Sequence, residues 1–121
     1  MKRDMELIRE LMLSIDSRDD SEYHAEELEI TGGQDIATIK YHLQLLVDAG
    51  FIKANVQYNG GGTIILIDRM LWEGHEFLDN ARNESVWKET MKTVKEKGGS
   101  VAVGILTQLL TSAAKQQFGL S

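Results

Sequence analysis

Met5, Ile8, Leu11, Met12 and Ile15 recur at steps of three and four. The chain therefore opens with an amphipathic helix over residues 4–16, and Asp4 stands where a side chain can cap the first free backbone N–H groups. The segment SRDDSEYHAEE that follows is polar and acidic and reads as a loop. Leu28 and Ile30 then alternate with Glu29 ahead of Gly32-Gly33, the pattern of a short strand and a turn.

The clearest helix spans residues 34–49. Ile36, Ile39, Leu43, Leu46 and Val47 form its apolar stripe, and Gly50 ends it as a C-terminal capping glycine. FIKANVQY and TIILID are two β-rich runs joined by Asn59-Gly60-Gly61-Gly62, a strong hairpin signal. Three more helices are predicted. One covers residues 71–82, and one covers 84–97 with Trp87, Met91 and Val94 on one face. After the break at Gly98-Gly99, the last covers 100–118.

Composition narrows the chemistry. The 121 residues suffice for one domain with a real core, and contain no proline and no cysteine. Disulfides, zinc ribbons and thiol nucleophiles are excluded. MKRDMELIREL has no apolar stretch of the kind a secretion signal needs, and no run approaches a membrane span, so no membrane association and a cytoplasmic location are expected. The net charge is −6, unevenly spread: residues 1–83 hold 8 basic and 16 acidic side chains, residues 84–121 hold 5 and 3. Two parts with different surfaces follow, a domain at 1–83 and a helical extension at 84–121.

Helix, short strand, glycine-terminated helix, glycine-tipped hairpin and helix is the layout of an α+β winged-helix domain. YHLQLLVDAGFI resembles the third helix and first wing strand of winged-helix regulators through Leu43, Leu46, Gly50, Phe51 and Ile52. Gly74, Phe77 and Leu78 fit the helix that closes such domains. MKRDMELIRELML, IKYHLQLLVDAGFI and LWEGHEFLDNAR, followed by Val86-Trp87, resemble more closely a family of uncharacterised bacterial and prophage proteins, domain of unknown function 2513. That resemblance implies a winged helix and carries no activity or catalytic residue. Leu71 stands where a threonine cap is common, which makes Asp68 the nearest candidate cap for the helix that follows.

His75-Glu76-Phe77-Leu78-Asp79 is one residue short of the H-E-x-x-H zinc helix. Two ligands do not make a zinc site, and neither His24 nor His42 has a partner at ligand spacing. The inner stripe of this helix is read as Leu71, Gly74, His75, Leu78 and Ala81. Gly74 allows close approach, His75 is hydrogen-bonded at the edge of the core, Trp72 adds bulk, and Asp79 is solvated or pairs with Arg82. The glycines at 60–62 lack the lysine and helix of a phosphate loop. No catalytic residue, metal or cofactor is assigned, and the function expected is binding.

Two partners compete. Double-stranded DNA comes first, because a winged helix places its third helix in the major groove. Its candidate contacts are Gln34, Thr38, Lys40, Tyr41 and Gln44, with Lys53 on the wing and Lys88, Lys92 and Lys95 on one face of a later helix. Against it, the outward face of the third helix reads Gln34, Thr38, Tyr41, Leu45 and Asp48, and the wing tip is uncharged. The alternative is a protein partner, docked on Tyr41 and Leu45 and on the tail residues Val101, Ile105, Leu109 and Phe118. The same tail is a candidate seam for a homodimer.

Overall fold

The computed structural model describes residues 2–120. Among them the order is α1 (Met5–Asp16), β1 (Tyr23–His24), a 3₁₀ turn (Ala25–Glu27), α2 (Ile36–Asp48), β2 (Ile52–Asn59), β3 (Gly62–Met70), α3 (Trp72–Ala81), α4 (Glu84–Glu96) and α5 (Val103–Gln117). The architecture is α+β: five α-helices and one antiparallel sheet in the order β1-β3-β2. No described helix is long and apolar enough to cross a membrane.

α1 is the central post. Asp4 caps it by accepting from the Leu7 backbone N–H at 3.1 Å. Leu7, Ile8, Leu11 and Met12 have no exposed surface. So wide a buried face requires cover on more than one side. α2 and α3 pack against α1, and Trp87 of α4 reaches it through an Nε1–H bond to Glu6 at 2.9 Å. The buried side chains of α1, α2, the sheet, α3, α4 and α5 belong to one cluster. Phe77, fully buried within it, contributes roughly 1.5–3 kcal/mol relative to an exposed ring.

α2 ends as its sequence requires. Gly50 has φ of +75°, its N–H donates to Val47 O at 3.0 Å, and the Phe51 N–H donates to Leu46 O at 3.0 Å. That paired closure needs a left-handed residue, which glycine supplies without strain. It turns the chain directly into β2, so α2 and the hairpin are rigidly linked. The hairpin closes over Gly60-Gly61, with Asn59 paired to Gly62 and the Gly61 N–H donating to Asn59 Oδ1 at 2.8 Å.

Several sequence expectations are corrected. No strand forms at Leu28–Ile30. The third strand is Tyr23–His24, paired with Ile67 and Leu66 inside the segment read as a loop. Leu28 and Glu29 do alternate in burial, but alternation describes an extended backbone, not a ladder partner. Ile36 lies on the outer side of α2 at 39% exposure, and His42 takes the inward place. Asp68 lies within β3, with Lys53 at 3.6 Å, and Leu71 precedes α3 without any side-chain cap. His75 and Trp72 are exposed, because the inner face of α3 runs through Gly74, Phe77, Leu78 and Ala81. Of the two readings of Asp79 the solvated one holds: Asp79 is exposed, and Arg82 pairs with Asp16 of α1 at 2.6 Å.

The close approach expected at Gly74 is present. A methyl group there would run into the Phe51 carbonyl oxygen and the side chains of Met70 and Met12. The neighbouring Leu71 N–H donates to the same Phe51 oxygen at 2.8 Å, which fastens α3 to the start of β2.

Candidate functional site

Two surfaces gather the residues singled out in the sequence. The first lies between α2 and the hairpin tip. Asp35 caps α2 by accepting from the Thr38 N–H at 2.9 Å, and bonding to the Thr38 side chain, with this backbone bond second, holds the Asp35 carboxyl below the usual carboxylate range. Ile39, His42, Leu43 and Leu46 face inward. Ile36, Ala37, Tyr41, Gln44, Leu45 and Asp48 are left to line, with Gly61, Gly62 and Thr63, a cleft of about 450 Å³.

Lys40 shapes this cleft. Its Nζ donates to Thr63 O at 2.6 Å and lies 3.1 Å from Glu26 Oε2, so one ammonium joins α2, the hairpin and the 3₁₀ turn. Glu26 is held below its ordinary pKa by its own backbone N–H and by Lys40. Other polar side chains fold onto the protein as well, although the buried Oε1 of Gln34 has no hydrogen-bond partner. Tyr58 OH donates to Gln44 Oε1 at 3.2 Å. Gln34 folds back over Gly32, whose missing side chain leaves it room. Thr38 is half-buried, and its carbonyl accepts from His42 Nδ1 at 2.8 Å. Lys53 extends from β2 and, among the described residues, pairs with Asp68 at 3.6 Å. The sequence-predicted DNA contacts on α2 are therefore brought together in space, but Lys40 and Gln34 point into the fold.

The second surface is the seam between α1 and α4. Asn83 caps α4 by accepting from the Val86 N–H at 3.0 Å, and Val86, Trp87, Thr90 and Val94 face inward. Lys88, Lys92 and Lys95 are left exposed. Arg9 of α1 lies over the Trp87 ring at 5.3 Å and donates to Ala81 O at 2.7 Å and Glu84 Oε1 at 2.9 Å. Toward the end of α4, Lys95 lines a cleft of about 450 Å³ together with Lys2 and Arg3. Lys2 and Arg3 are not among the sequence-predicted contacts. Nothing local marks them, since α1 folding against α4 is what sets them beside Lys95.

The tail divides into two. Leu106, Leu110, Ala113 and Ala114 are buried, with α5 packed on α3 and α4. Val101 and Leu109 are half-buried, while Ile105, Phe118 and Leu120 are exposed at 47%, 72% and 62%.

The His75 cleft, about 490 Å³, also contains Asp16, Asp19, Asp20 and Asp68. Asp16 is bonded to Arg82, and Asp20 to Arg18 at 2.6 Å, which holds the Asp20 carboxyl low. Among the described residues no three metal-binding side chains converge.

The fold and these surfaces define an α+β domain built on a helix-and-hairpin unit, with two further helices packed against it. The chain belongs to the family described as "Hypothetical protein (DUF2513)", whose model matches residues 2–100. It is similar to an uncharacterized protein of Haemophilus influenzae, 34% identical over 117 residues that cover 96% of this chain and 98% of the other. No solved structure matches the chain.

Proposed function

We propose that the chain is a winged-helix module that holds a segment of another protein in the cleft between α2 and the hairpin. The order helix, strand, turn, helix, hairpin, with β3 central in the sheet, supports the winged-helix reading. Within that fold, α2 is the third helix and the β2–β3 hairpin is the wing.

The observation that carries the choice of partner is the engagement of Lys40. Base readout from a third helix needs free arginine, lysine, asparagine or glutamine side chains. Here the lysine is bonded to Thr63 and Glu26, Gln44 accepts from Tyr58, and the wing tip carries no charge. The element before α2 is a three-residue turn where a helix-turn-helix uses a full helix. Tyr41, Leu45, Ile36 and Ala37 offer apolar and aromatic surface of the kind found at protein contacts, beside the carboxylate of Asp48. A segment combining an aliphatic or aromatic anchor with a lysine or arginine for Asp48 fits this lining.

The test is panning of a random peptide display library on the folded protein. Enriched peptides are expected to carry such an anchor and cation, and to be lost on the Tyr41→Ser/Leu45→Ser variant. Enrichment that ignores the variant, or peptides without the cation, would remove the proposal. Duplex DNA keeps independent support from a different face, the lysine flank of α4.

A further inference from the structure

Lys88, Lys92 and Lys95 follow steps of four and three and so share one flank of α4. All three are exposed, and among the described residues none takes part in an ion pair. The flank borders α1: Glu84, one turn before Lys88, is held by Arg9 of α1, and Lys95 shares its cleft with Lys2 and Arg3. The two acids of that cleft are already engaged. Asp4 accepts from the Leu7 N–H, and Glu6 accepts from Trp87 Nε1. Lys2, Arg3 and Lys95 thus share one cleft, and Lys92 and Lys88 continue the same flank of α4 away from it, in a chain whose net charge is −6.

We propose that this seam, formed by Lys2, Arg3, Lys88, Lys92 and Lys95, binds the phosphodiester backbone of duplex DNA without reading its sequence. Lys88 to Lys95 spans about 10 Å along the helix. A DNA strand carries one charge per ~3.4 Å of axis, so the row matches about three phosphates and Lys2 and Arg3 add contacts beside it. Lysine meets phosphate as a point charge and needs no fixed geometry, which suits flexible exposed side chains. An acidic protein is a poorer fit. Stable protein contacts centre on buried aromatic or arginine anchors, whereas this cleft is lined by no aromatic side chain, its arginine, Arg3, is exposed, and its apolar residues Met5, Val94 and Met91 are already buried or half-buried.

The experiment is fluorescence anisotropy of the full chain with a labelled duplex of arbitrary sequence, from about 50 to about 200 mM salt. Five phosphate contacts predict a log–log salt slope of about −4.5, a loss of roughly 500-fold over that range. The Lys88→Ala/Lys92→Ala/Lys95→Ala variant should shed about three units of slope and Lys2→Gln/Arg3→Gln about two, with unchanged circular dichroism. Absence of binding at the lowest salt overturns the proposal, as does a slope indifferent to both variants. Tighter retention of polyglutamate than of duplex would make the seam an acidic-protein site. Loss of DNA on the Tyr41→Ser/Leu45→Ser variant would move the contact to α2. Peptide capture by the α2 cleft is a separate readout, so either proposal can fail while the other stands.

Discussion

The buried ring of His42 accepts a hydrogen bond at Nε2 from the backbone N–H of Asp4, 2.8 Å away and 38 positions earlier in the chain. An accepting Nε2 places the proton on Nδ1, which donates to Thr38 O at 2.8 Å. This pairing assigns the ring one tautomer, and it sets the start of α1 against the middle of α2. The same bond anchors the backbone of the residue that follows Lys2 and Arg3.

His42→Leu keeps the bulk and removes the acceptor. Leaving a buried donor unpaired costs roughly 1–3 kcal/mol. Asp4 is only half-buried, so a loss near the lower end is expected in urea unfolding, with an unchanged slope against denaturant. A variant as stable as the parent would show that the bond adds nothing to the fold.

Gly74→Ala sets two effects against each other. In an open helix the change would stabilise by about 1 kcal/mol. At this position the new methyl meets the backbone oxygen of Phe51, which also accepts the Leu71 N–H and cannot move without breaking that bond. Overpacking of this kind costs about 1–3 kcal/mol, and more against backbone. The steric cost wins, and a lower melting temperature or loss of soluble protein is the expected result.

Much of this fold was legible because its signals are local. The stripe of α1, the Gly50 closure of α2 and the Asn59–Gly62 hairpin each follow from spacing within a dozen residues. What failed depended on partners far along the chain. His42 and His75 both sit on helices, yet one is buried and bonded to the Asp4 N–H, 38 positions earlier, and the other is exposed. Trp72 looks like core by size, yet it lies on the outer side of α3 at 73% exposure. Tyr23–His24 is a strand only because Ile67 and Leu66 pair with it. Lys40 read as a free cation because its partner, the Thr63 carbonyl, is a backbone atom that no sequence pattern marks.

Lys40→Met tests that last point. It retains the aliphatic stem and deletes the bond to Thr63 and the pair with Glu26. Bonds from charged donors contribute about 1.5–3 kcal/mol, and the exposed Glu26 adds little. A loss of about 1–2 kcal/mol is expected, with faster proteolysis at the Gly60-Gly61 tip once the tether to α2 is gone. Equal cleavage rates for parent and variant would mean the hairpin is held without the lysine.

Tyr23 links the fold to alkaline pH. Burial pushes its phenol up to about 12, with Arg18 stacked 4.0 Å from the ring centre opposing the shift. Between the unfolded value near 10 and this folded value, the native chain keeps a proton that the unfolded chain has released. Stability then falls as pH rises, because the unfolded state binds fewer protons. The contribution is fully present below about pH 10 and is lost progressively toward pH 12. The measurement is a difference between two chains, which cancels the groups they share. Melting curves of the parent and of Tyr23→Phe should converge as pH is raised if the phenylalanine variant starts less stable. They should diverge in favour of the variant if the two start equal. In either case the parent loses more over this interval, and parallel curves would show that the phenol titrates as it does in the unfolded chain.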